Sequence, residues 1–304
     1  MIILKEGRRY SVRTEDEKRA LMTRRMSALG AEERALLKAI MQDAQRGDST
    51  LLEIMYEQKY VKKPCSMQEF IEDDFYLGKT VGGKVYPRLY KDLCELHADG
   101  QYREIIWAGS IGYGKSTVAS ILFLKMIEEL SCLRDPHATF KLASGASIVL
   151  ALVSKTVELA RKVLLSAVSE KIDASPYFSD VLRAAITKDR IKFPGKITVE
   201  LSAARSERLL GMDVFGAIID EMNFMAVRNQ VINTGGRKTV AHYDLAEKVY
   251  ANLVRRVKSR FGDKHAGFPG MIILISSANT IGSFLDRRLE MSKNDPTVFA
   301  RDYA

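Results

Sequence analysis

Residues 105–120 read IIWAGSIGYGKSTVAS, and within them Gly109, Gly114, Lys115 and Ser116 fill every fixed place of the phosphate-loop pattern G-x-x-x-x-G-K-S/T. The apolar run 105–108 is short enough for a buried strand, and Val118, Ala119, Ile121, Leu122, Leu124 and Ile127 recur at helical spacing after the loop. The order is therefore strand, glycine loop, helix. Gly109 and Gly114 permit dihedrals and close approaches that a Cβ blocks, so the N–H groups from Gly109 through Ser110, Ile111, Gly112 and Tyr113 to Gly114 can turn inward around a phosphate. A helix starting near Lys115 adds the unpaired N–H groups of its first turn, Ser116 and Thr117 among them, and the positive end of its dipole. Lys115 suits the outer phosphates of a nucleotide as a point charge, and the Ser116 hydroxyl suits Mg2+.

Downstream, VFGAIIDE (214–221) is an apolar strand ending in Asp220, the place where a carboxylate supports a Mg2+ shell. Glu221 follows at once and can orient or deprotonate an attacking water, which separates a hydrolase from a nucleotide-binding switch. A further strand, MIILISS (271–277), runs into Ala278-Asn279-Thr280 and makes Ser276, Ser277 and Asn279 candidates for sensing the terminal phosphate. Between these strands lie NTGGRKT (233–239), expected to be a mobile loop, and the helical stretch LAEKVYANLVRRVKSRF. Arg255, Arg256, Lys258 and Arg260 on that helix, with Arg237 and Lys238 of the loop, are the candidate contacts to a polyanion.

The remaining pattern alternates strands and helices: SIVLALVS (147–154), a helix from about residue 156 to 171, and a hairpin of IKF and ITVEL around Pro194-Gly195. That alternation argues for an α/β fold, a parallel sheet covered on both faces. Upstream, Ser66 and Glu69 form a capping-box pair, and Phe75, Tyr76, Tyr86 and Pro87 are candidates for contacting a base. Residues 1–62 read as a helical lead-in, with Leu36, Leu37, Ile40 and Met41 at helical spacing and Thr50 with Glu53 as another capping pair; packing on the main sheet is expected for it.

Across 304 residues, 46% are hydrophobic and 28% charged, with a net charge of +9 that favours an anionic partner such as nucleic acid. Cys65, Cys94 and Cys132 are odd in number and lack metal-ligand spacing, so a reduced, intracellular protein without structural zinc is expected. No apolar run approaches the ~20 residues of a membrane span, and the first residues lack a secretory signal.

With EFIEDDFYLG followed by YPRLY, then WAGSIGYGKS, LLGMDVFGAIIDEMNF, and VRRVKSRFG leading to ILISSANT, the chain resembles the ATPase domain of the large terminase subunit of tailed bacteriophages over roughly residues 65–300. The resemblance implies a P-loop NTPase of the RecA/ASCE-like type, with 63–304 as the ATPase domain. It also implies an oligomeric ring of identical copies that hydrolyses ATP with Mg2+ to drive double-stranded DNA into a procapsid. The portal protein and the small terminase subunit would be partners, in the host cytoplasm during phage assembly and away from any membrane.

By the same resemblance Lys115 and Ser116 bind phosphate and Mg2+, Asp220 supports Mg2+, Glu221 activates water, and 276–279 couples hydrolysis to movement. Many relatives carry an arginine inside the loop where this chain has Ile111, so charge neutralisation is expected from a neighbouring subunit. Arg208 is the candidate finger and Arg205 the runner-up. The chain stops soon after 271–277, so the nuclease domain of large terminases is expected to be absent, and nuclease activity with it. A ring-forming DNA-remodelling or helicase-like ATPase is the alternative reading, and an ATP-gated DNA-binding module a third.

Overall fold

The computed structural model describes residues 8–9, 30–45, 58–99, 102–205, 209, 211–225, 227–234, 237–261, 270–277 and 283–303. The main-sheet strands are β1 (Arg8–Arg9), β2 (Glu104–Gly109), β3 (Ile148–Ser154), β4 (Ala185–Ile186), β5 (Arg190–Phe193), β6 (Ile197–Ala203), β7 (Asp213–Asp220), β10 (Ile272–Ser276) and β11 (Val298–Tyr303). Between β7 and β10, β8 (Val227–Thr234) and β9 (Arg237–Asp244) form a separate hairpin. The main sheet runs β1-β11-β2-β10-β7-β3-β6-β5-β4. Its six central strands, β11 to β6, are all parallel, and β1, β5 and β4 are antiparallel additions at the edges. Every residue of β2 and β3 is buried, which is why these strands read as unbroken apolar runs instead of alternating ones.

The helices are α1 (Ala31–Gln45), α2 (Met67–Glu72), α3 (Gly78–Val81), α4 (Pro87–Asp99), α5 (Lys115–Cys132), α6 (Pro136–Thr139), α7 (157–174, π-helical over Ala160–Leu165), α8 (Leu245–Phe261) and α9 (Phe284–Ser292). Ile105, Trp107, Ile218, Ile273 and Ile275 face one layer, built on α5, and Ile106, Ala108, Ile219 and Leu274 face the other, built on α8 and α9. α5 is buried almost all round, so it is a core helix and not an amphipathic surface one. Its inward charges are paired: Lys125 Nζ lies 2.5 Å from Glu128 Oε2, and Glu128 Oε1 accepts from the Cys65 N–H and the Cys132 thiol, each at 3.2 Å. Burial pushes the Cys65 thiol up to about 12, which fits a packed and unreactive cysteine.

Local expectations hold at several points. Ser66 Oγ accepts from the Glu69 N–H at 3.1 Å, and Thr156 caps α7 in the same way. β5 and β6 form the expected hairpin around Pro194-Gly195. Three expectations change. The stretch 233–239 is not a loop: its described residues are the ends of β8 and β9, with Thr234 paired to Arg237. The chain does not simply run out after 271–277, because an unanticipated strand, β11, follows and pairs with β2. In α1, Leu36 and Met41 are exposed and Leu37 and Ile40 half-buried, so α1 itself is not seated in the core, whereas β1 pairs with β11 at the sheet edge and Tyr60 packs against the core. The Thr50 and Glu53 capping pair lies outside the described residues. No helix among the described residues is long and apolar enough to cross a membrane.

Candidate nucleotide site

The parallel strands bring the decisive residues to one edge of the sheet. β10 lies between β2 and β7, so the loop leaving β2 and the carboxylate ending β7 stand two strands, about 10 Å, apart on the same carboxyl edge. That edge is where open α/β sheets bind ligands.

The loop forms one wall. Gly112 and Gly114 have φ of +82° and +88°, values in which an L side chain is strained, and Gly114 is the residue from which α5 starts. Around Gly112 there is open space where a Cβ would stand, as a phosphate cradle requires. Lys115 Nζ donates to the carbonyls of Gly109 (2.8 Å) and Ser110 (2.6 Å), which holds the ammonium in the loop. Burial lowers its pKa, and Asp220 and Glu221 oppose that shift, so the lysine and both carboxylates share one electrostatic environment.

Aromatic side chains brace the loop from behind. The Tyr113 ring stacks on Tyr303 of β11 at 4.4 Å and lies 6.2 Å from Tyr86. The Tyr303 hydroxyl donates to Asp92 of α4, and Asp92 also accepts from the fully buried Arg301 at 3.2 Å. Of the base-contact candidates, Tyr86 is thus at the loop and half exposed. Tyr76 instead packs with Phe75 and Tyr177 at the far end of α5, where the Tyr177 hydroxyl meets Ser131. Ile111 stands 89% exposed at the loop's tip.

The carboxylates form the other wall. Asp220 is buried, and that burial, with the Glu221 charge beside it, raises its carboxyl to about 6; the Glu221 N–H, donated to Oδ1 at 2.8 Å, and Lys115 pull the other way. A carboxylate so placed gains from a cation in front of it. Glu221 sits in the left-handed region at φ 59°, ψ 35°, uncommon for a residue with a side chain. Asn223 holds that turn: its N–H donates to Ser276 Oγ (3.3 Å) and its Nδ2 to the Ser277 carbonyl (3.0 Å), while its Oδ1 is buried without a partner. Ser154 Oγ, ending β3 beside β7, is also buried and unpartnered. It alternates with Leu150 and Leu152 as Asp220 alternates with Ile218, so both face the α5 layer.

Orphaned oxygens, a glycine cradle and a carboxylate destabilised by burial together fit a hydrated cation and a polyphosphate. Among the described residues no cluster of three or more His, Cys, Asp or Glu could hold a metal ion.

Ser276 is on the opposite face from Asp220, alternating with Ile272 and Leu274, and bonds Asn223. Ser276 therefore meets the carboxylate turn through Asn223. Arg205 is exposed just past β6, on the same edge but two strands beyond β7. Arg208 and Asn279 lie outside the described residues. Asn223 was missed in the sequence, although its place three residues after Asp220 was a readable signal.

The family comparison settles the class. The family model described as "Uncharacterized protein MJ0330, N-terminal P-loop domain" matches residues 34–304. The chain belongs to that P-loop family. Among solved structures, this P-loop domain is similar to the large terminase of bacteriophage HK97 at 14% identity and a TM-score of 0.52, covering 78% of this chain and 43% of that one. The large terminase of a thermophilic bacteriophage follows at 12% identity and a TM-score of 0.42, covering 79% and 45%. The chain spans less than half the length of these terminases. No curated protein sequence matches it. The HK97 likeness is one of fold: a RecA/ASCE-like P-loop sheet with helices on both faces.

Proposed function

We propose that the protein is an ATP-hydrolysing motor of the large-terminase type, coupling hydrolysis to translocation of double-stranded DNA into a procapsid. The observation that carries this reading is the shared edge on which Lys115 and the Asp220-Glu221 pair face each other across β10. A switch protein has no need of the second carboxylate; a hydrolase does.

In this reading the N–H groups of Gly109 to Thr117 cradle the triphosphate, and Lys115 leaves the loop carbonyls to reach its outer oxygens. Ser116 and Asp220 would hold Mg2+, which supplies charge neutralisation for the leaving phosphates. Glu221, fixed by its own N–H and by the Asn223 clamp, accepts the proton of the attacking water. Arg208 of a neighbouring copy in a ring completes the site, with Arg205 as runner-up, and Asn279 couples hydrolysis to movement. Residues 1–62 are the lead-in and 63–304 the motor domain. The portal protein and small terminase subunit are the assembly partners in the host cytoplasm, and no nuclease activity is assigned to these residues.

The test is steady-state ATP hydrolysis by the full chain with Mg2+, with and without duplex DNA, followed by ATP-driven packaging into matching procapsids. Duplex-stimulated turnover and DNA protected inside capsids are expected. Turnover indifferent to DNA, with no protected DNA, defeats the motor reading.

A further inference from the structure

The ribbon that follows the Glu221 turn differs from every other described element. β8 and β9 pair antiparallel from Val227↔Asp244 to Thr234↔Arg237 and join no strand of the main sheet. Eight residues per strand extend about 26 Å. In sequence neither VRNQVINT nor RKTVAHYD is an unbroken apolar run, and a two-stranded ribbon alone is marginal in water.

The charge of the ribbon is one-sided. Arg228, Arg237 and Lys238 are its cations, and its one acid, Asp244, is engaged at the base, accepting from Arg287 at 2.9 Å and from the Ala246 N–H at 3.0 Å.

The fold also separates this ribbon from the basic end of α8, with which the sequence groups it. α8 runs back along β7: Arg260 pairs with Asp213, the first residue of β7, at 3.2 Å. Arg255, Arg256, Lys258 and Arg260 therefore lie toward the amino edge of the sheet. The ribbon leaves from the carboxyl edge, immediately after Glu221 and Asn223. The two groups of cations therefore stand at opposite edges of the sheet, separated by about the length of β7, roughly 26 Å.

We propose that the β8–β9 ribbon is the element that grips duplex DNA, and that the basic end of α8 is an ordinary solvated face. A two-stranded ribbon fits the major groove, and cations toward its turn meet phosphates. Because β8 continues the turn that holds Glu221, a change of that turn on hydrolysis passes into the ribbon without crossing another element. This inference rests on the motor reading above.

Binding of a duplex DNA fragment to the full chain, titrated over a range of salt, tests it with two charge-reversed variants. Arg237→Glu with Lys238→Glu is expected to weaken binding about tenfold or more and to lower the salt slope by about 2. Arg255→Glu with Lys258→Glu is expected to leave both nearly unchanged. Thermal melting checks that each variant is folded, and the milder Arg237→Gln with Lys238→Gln replaces the first if it is not. The opposite ranking of the two sites overturns the ribbon assignment and leaves the motor reading standing. Failure of the unaltered protein to bind duplex DNA even at low salt removes both.

Discussion

The two walls of the nucleotide site are built to opposite standards. On the loop side nearly everything is tied down: Lys115 holds two carbonyls, Tyr113 is stacked against Tyr303, and Tyr303 is anchored through Asp92 to a fully buried arginine. The carboxylate side carries a left-handed glutamate, a buried aspartate with a raised pKa, and two oxygens with no partner, against one such atom, Trp107 Nε1, in the strand leading to the loop. Satisfied groups make a rigid binding surface, whereas strained and orphaned ones mark where substrate and movement complete the structure. In the proposed reaction the loop wall is a holder and the carboxylate wall a trigger, and substitutions in each should fail in different kinetic terms.

The largest effect is expected from Glu221→Gln. It keeps the shape of the turn but removes the base, so kcat should fall about 10³-fold while nucleotide affinity, measured by equilibrium titration, stays within a few-fold. Lys115→Ala breaks the other wall. Losing its charge at the phosphates should lower kcat/KM about 10²-fold, with weakened nucleotide binding as the signature that distinguishes holder from trigger. If Lys115→Ala spares binding while Glu221→Gln destroys it, the division of labour is reversed.

Asn223 sharpens the comparison, because in the proposed reaction it would act through Glu221 and not on substrate. Asn223→Ala deletes the bond to the Ser277 carbonyl, and we expect kcat to fall about tenfold at unchanged KM, with stability lowered by about 1 kcal/mol. Combined with Glu221→Gln, the loss should be no greater than for Glu221→Gln alone, since a clamp without its base has nothing to position. Additive losses assign Asn223 a separate role.

How much of this was readable beforehand follows from range. The loop, Asp220, Glu221 and the capping residues are written in contiguous motifs whose chemistry is local, and buried parallel strands announce themselves as apolar runs. β11 escaped because VFARDY mixes Arg301 and Asp302 into a strand, and the buried arginine's carboxylate partners, Asp92 and Glu95, lie more than 200 residues away. The ribbon escaped because Asn-Thr-Gly-Gly reads equally as a loop and as a turn between strands. The basic residues of 237–260 look like one patch along the chain, and only the direction of α8 against β7 divides them between two edges of the sheet.

The smallest expected effect comes from Tyr303→Phe, on the braced wall. The change removes only the hydroxyl donated to Asp92; the ring remains to stack on Tyr113, and Arg301 remains to pair the carboxylate. One buried hydrogen bond is worth about 1 kcal/mol, so the melting temperature should drop by roughly 2–4 °C with kcat and KM close to those of the unaltered protein. The size of the response matters less than its kind. If the brace merely supports the loop, a small loss of stability is the whole effect, because the stack of Tyr113 on the ring at 303 survives the change. If kcat falls tenfold with no loss of stability, the stack must shift during turnover, and the loop wall is then a moving part like the carboxylate wall that faces it.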